Sequence, residues 1–209
     1  FSAFLPDDDF LIPDSLYKCA EFLHYNPDYS SAHGTGLILE LDSKGARGNI
    51  TSIRKYNQPI LEQSTSEARL INLLANYSVS IFSVHRTESL NMMYSYVSDD
   101  FTDRSLSGEL LQCCLSAIAG KAKELDCLYL IRQSHTQSSL NQFDWLAKPD
   151  WATSYSLFSD ALCEQLQYHD QISQKKALNI VTRSFRTYLL TSLNQDFNDH
   201  NRSKKIRLL

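Results

Sequence analysis

The chain has 209 residues, 43% of them hydrophobic, with 24 acidic against 20 basic side chains and a formal net charge of −4. That length fits one large domain, or one domain with a substantial appendage, and it buries a sizeable core without disulfides or metals. The acidic balance excludes a strongly basic nucleic-acid binder, so any contact with nucleic acid would rest on a local patch.

The five cysteines, Cys19, Cys113, Cys114, Cys127 and Cys163, are odd in number and form no CxxC pair. They read as reduced, mostly buried thiols of a cytoplasmic protein rather than a disulfide or zinc framework. No run of about 18 apolar residues is present, so no membrane span is expected. The opening residues lack the basic and apolar regions of a secretory signal.

Taken in chain order, residues 1–23 form a lead segment punctuated by Pro6 and Pro13, with Asp14 or Ser15 able to cap a short helix, SLYKCAEFL. Leu37 to Leu41 reads as a strand approached by Gly34 and Gly36, and SKGARGN as a turn. ITSIRKYN alternates apolar and polar residues and completes a hairpin. Residues 64–77 form a helix capped by Ser64 or Thr65, with Leu70, Leu73, Leu74 and Tyr77 at helical spacing. Ser78 to Val84 reads as a short apolar strand, and Thr87 can cap a helix carrying Leu90, Met93, Tyr94 and Val97 on one face. A long helix is expected over residues 105–125, then a strand CLYLIRQ, then a helix LNQFDWLAK stopped by Pro149. The segment ATSYSLFSDALCEQLQYHD reads as a strand and a helix, and Lys176 to Leu193 as an amphipathic helix followed by a basic tail. A hairpin followed by strands alternating with helices predicts an α/β fold with a mixed sheet flanked by helices.

The segment LYLIRQSHTQSSLNQFDWLAK, with His135, Asn141, Asp144, Leu146 and Ala147, resembles the end of ribonuclease H domains. There an apolar strand leads to a loop His, then to an Asn and an Asp on the first turn of a helix. Upstream, NPDYSSAHGTGLIL is similar to the family's Asp-Gly-Ser first strand and the Gly-x-Gly that enters its second, with Tyr29 in place of the glycine. The resemblance implies a ribonuclease H-like domain with a mixed five-stranded sheet over residues 24–150, followed by a mainly helical C-terminal extension over 151–209. It implies a metal-dependent hydrolase, a nuclease cutting the RNA strand of RNA–DNA hybrids. Asp28, Glu67 and Asp144 would hold Mg²⁺ or Mn²⁺, and His135 would aid turnover.

Such chemistry uses two hard cations about 4 Å apart, one activating water and one steadying the leaving oxygen, which is why the family gathers carboxylates. This chain departs from that pattern at the third acid, where it offers Val84 and His85. Imidazole suits softer metals than Mg²⁺. A shift of two residues in the helix would also put Arg69 where Glu67 is needed. The alternative expectation is therefore an inactive ribonuclease H-like domain that binds nucleic acid or protein, with the C-terminal helices available to a protein partner and no membrane involved.

Overall fold

The computed structural model describes residues 1–42, 48–101, 106–134 and 148–206, with side chains described through residue 193. It is an α/β fold with an open, mixed five-stranded sheet and six helices among these residues. The chain runs β1 (Phe10–Leu11), α1 (Pro13–Tyr25), β2 (Tyr29–Leu41), β3 (Ile50–Tyr56), α2 (Ser66–Ala75), β4 (Val84–His85) and α3 (Thr87–Ser95). A π-helical turn (Leu106–Leu110) then enters α4 (Leu111–Ala119), followed by β5 (Lys121–Ser134), α5 (Trp151–Asp170) and α6 (Gln174–Ile206).

The sheet order is β1-β5-β2-β3, with β4 paired to β2. Only β2 and β5 are parallel; the other pairs are antiparallel. Gly34 is required at the centre of that parallel pair. A Cβ there would lie 2.3 Å from the Cys127 carbonyl oxygen, where β5 bulges past β2.

Several sequence expectations hold. The hairpin of β2 and β3, α1, α3 and the amphipathic α6 are all present. The cap of α2 is Thr65, whose hydroxyl accepts the Ala68 amide at 3.2 Å. At α1 the expected caps do other work: Pro13 opens the helix, and the Ser15 hydroxyl donates to the Leu128 carbonyl at 2.6 Å.

Other expectations are overturned, each for a physical reason. The residues read as the family's first strand and the approach to its second lie in one continuous strand, because β2 pairs with β5 along nearly its whole length. Ser78 to Ser83 is not a strand. Its polar backbone groups are met by side chains instead: Tyr56 Oη donates to the Val79 carbonyl at 2.5 Å, Tyr129 Oη to that of Phe82, and the Ser80 amide to Cys113 Sγ at 3.3 Å.

The helix expected over 105–125 ends at Ala119. A Cβ at Gly120 would lie 2.8 Å from the Ser30 nitrogen, so the chain turns closely against β2, and Lys121 starts a strand. ATSYSLFSD is helical throughout, because Phe158, Leu162 and Leu166 repeat at helical spacing and are completely buried. No Gly or Pro interrupts α6, which continues past Leu193 to Ile206. The helix expected around LNQFDWLAK, and the SKGARGN turn apart from its last residues, lie outside the described residues.

Two apolar cores position the sheet. Cys19 and Leu23 of α1 pack with Ala32, Val84, Tyr129 and Leu130. A larger core is built by α2, α3, α4, α5 and α6, with Leu70, Leu73, Leu111, Leu115, Ile118 and Phe158 almost wholly removed from water. Each such side chain contributes about 1.5–3 kcal/mol through burial. The two C-terminal helices therefore share one core with α2 and α4.

Candidate functional site

Asp28 lies in the turn between α1 and β2, next to the α4–β5 corner. Its backbone carbonyl accepts the Lys121 amide at 3.1 Å. The carboxylate is exposed and meets Lys121 Nζ at 2.6 Å, a hydrogen bond that lowers its pKa.

Glu67 occupies the first turn of α2, where the helix dipole favours a negative charge. Its carboxylate faces α6, with Lys176 Nζ at 3.4 Å and Arg183 Nη2 at 3.5 Å. The α2 terminus is served by a different acid. Asp170, at the end of α5, accepts the Ser66 and Glu67 amides at 2.9 and 2.8 Å.

Arg69 is buried under the end of α4. Its guanidinium donates to the Ala117 and Ile118 carbonyls at 2.6 and 2.8 Å, to the Gln63 carbonyl at 2.9 Å and to Ser66 Oγ at 3.0 Å. The Ala117 and Ile118 carbonyls belong to the last turn of α4, which has no later helical amides to satisfy them, and a cation suits the negative end of the helix dipole.

Val84 and His85, where the resemblance expects a third acid, are both buried and pair with Ala32 and Ser31 of β2. His85 Nε2 is 3.1 Å from the Ile81 carbonyl, and Nδ1 is 3.4 Å from Ser116 Oγ. Burial pushes its pKa down to about 4, so the ring is neutral near pH 7. Asp144 and His135 lie outside the described residues.

Asp28 and Glu67 therefore engage separate partners. Among the described residues no group of three His, Cys, Asp or Glu side chains is placed to hold a metal ion. The described side chains do not fit a two-metal centre. Compared with known proteins, the chain matches no family model and no curated protein.

The sequence reading missed a cleft of about 420 Å³ beside these residues, between β2, β5 and the segment preceding α2. His33, Thr35, Lys55, Glu62, Glu124 and Asp126 supply its polar lining. Glu124 Oε1 takes Lys55 Nζ at 3.1 Å and the Thr35 hydroxyl at 3.4 Å. Glu62 Oε1 takes the Tyr29 hydroxyl at 2.6 Å and Lys123 Nζ at 2.9 Å.

No local pattern marks this cleft, because its lining comes from three separate stretches of the chain, residues 33–35, 55–62 and 122–126.

Proposed function

We propose that this chain is a ribonuclease H-like module without a working two-metal centre, acting as a protein-binding scaffold. The observation that carries this reading is the buried pair at the third acid position. Val84 offers no ligand. His85 has its ring between Ile81 and Ser116, and its backbone nitrogen and oxygen are bonded to Ser2. Losing one carboxylate of a two-metal site removes much of the charge stabilisation that the metals give the transition state. Arg69, two residues from Glu67 on α2, is a buried cation bonded to the end of α4.

A protein partner is favoured over nucleic acid by charge. Lys55, Lys121 and Lys123 on the β3–β5 surface are each neutralised by a carboxylate, which leaves no basic stripe there for phosphates. Leu178, Leu190 and Leu193 on α6 are exposed and give a partner an apolar footing. No helix among the described residues is long and apolar enough to cross a membrane. The five free cysteines, four of them buried, suit the reducing cytoplasm.

The competing reading is a nuclease, with Asp28, Glu67 and Asp144 holding Mg²⁺ or Mn²⁺ and His135 aiding product departure. A labelled RNA–DNA hybrid incubated with either cation separates the two. The scaffold reading expects intact hybrid. Cleavage that disappears in Asp144→Asn would establish the nuclease.

A further inference from the structure

The cleft beside β5 has a polarity that identifies what it can hold. His33 is only 5% exposed and lines the cavity. Its Nδ1 lies 2.9 Å from the Gly34 carbonyl, which can only accept, so Nδ1 carries the proton. Nε2 is then a bare lone pair, and no protein group meets it among the described residues. Burial lowers the His33 pKa below its ordinary value, which keeps the ring in this neutral form near pH 7.

The rest of the lining has the same character. Glu124 and Glu62 each receive their protein donors on Oε1, leaving Oε2 open. The exposed carboxylate of Asp126 has no hydrogen bond or ion pair among the described residues. Lys55 is the single cation of the wall, and Glu124 neutralises it. Pro59, Ile60 and Leu125 form an apolar side.

Among the described residues, an anion would meet the unpaired Asp126 and the open oxygens of Glu62 and Glu124, with the one lining cation already held by Glu124. A metal ion would find no group of three ligands among the described residues. A ligand made of donors, positively charged and carried on an aliphatic chain matches every wall.

We infer that the cleft bounded by His33, Glu62, Glu124 and Asp126 binds a protonated primary amine on an unbranched aliphatic stem. The three N–H donors of the ammonium are shared among His33 Nε2 and the open carboxylate oxygens of the wall, while its methylenes lie against Ile60 and Leu125. A cavity of this size takes a small ligand or one inserted side chain. The ligand is thus either a free alkyl diamine or a lysine side chain of another protein, and the site does not depend on whether the chain cuts nucleic acid.

The test is a titration of the full chain followed by NMR, observing the His33 ring and the amides of Glu124, Leu125 and Asp126. One arm adds cadaverine, the other Nα-acetyl-lysine N-methylamide, with 1-pentanol and the Nε-acetylated lysine derivative as uncharged controls. Saturable shifts confined to the cleft are expected with the amines and absent with the controls. The arm that saturates at lower concentration identifies the source, free diamine or protein lysine.

Asp126→Asn should weaken amine binding about two- to fivefold. Its side chain is exposed and unpartnered among the described residues, and an unchanged circular dichroism spectrum checks that the fold is kept. No saturable shift in either arm, equal shifts with pentanol, or full affinity in Asp126→Asn would overturn the assignment.

Discussion

The corner around Arg69 and the cleft around His33 treat charge in opposite ways. Arg69 is buried, and its three nitrogens are all donating, to three carbonyls and one hydroxyl. Nearby, both carboxylate oxygens of Asp170 hold backbone amides. In the cleft, acceptors outnumber donors, and lone pairs on His33, Glu62 and Glu124 are left over. Saturated charge holds elements together, whereas unsaturated charge at an opening is available to a ligand. The same contrast explains why Glu67 and Arg69, two residues apart on one helix, serve structure, while the chain's open polar groups lie elsewhere.

The largest expected effect breaks the saturated side. Arg69→Met should cost about 3–5 kcal/mol of stability in urea unfolding, because the Ala117 and Gln63 carbonyls lose the Arg69 donor and Ile118 keeps only the Ser66 hydroxyl. Arg69→Lys should recover little, since a single ammonium cannot match four partners in a planar fork. A loss below about 1 kcal/mol, in the range of an exposed ion pair, would remove the distinction drawn between the two regions.

Acid acts next. The His85 pKa is about 4 in the fold against 6.5 for an unperturbed ring, so between those values the unfolded chain holds more protons. Stability should be level above about pH 6.5 and fall as the pH drops through that window, with a slope approaching 1.4 kcal/mol per pH unit. His33 and His169 shift in the same direction and add to the slope. Urea midpoints at several pH values read this directly, and His85→Asn should flatten the curve.

Asp170→Asn should be milder. It weakens two hydrogen bonds at the start of α2 and removes the charge facing the helix dipole, for a loss of about 1–2 kcal/mol. Asp28→Asn is expected to leave the unfolding midpoint indistinguishable from the parent, because the pair with Lys121 is exposed. A clear loss there would mean that Asp28 belongs with the saturated groups.

The sequence disclosed the elements whose signals are local. The spacing of Leu70, Leu73 and Leu74, the Thr65 cap and the alternation in ITSIRKY each survive in α2 and β3. It misled where tertiary partners decide. Ser78–Ser83 has the composition of a strand, but Tyr56, Tyr129 and Cys113 reach its backbone first. Lys121 to Leu125 has helical composition, yet the tight approach at Gly120 hands it to the sheet.

For the site, the departure from the ribonuclease H resemblance at Val84 and His85 is legible in the sequence itself. The sequence raises Arg69 only as an alternative to Glu67 at the acidic position; its burial depends on the α4 carbonyls, distant in the chain. The cleft was not visible, since His33, Glu62 and Glu124 converge only once β2 and β5 are paired in register.

The most direct measurement of the central claim is the fate of a labelled RNA–DNA hybrid incubated with the full chain and Mg²⁺ or Mn²⁺. The account predicts that the RNA strand stays intact at the level of a protein-free blank with either metal. Metal-dependent turnover abolished by Asp28→Asn and by Asp144→Asn would contradict it.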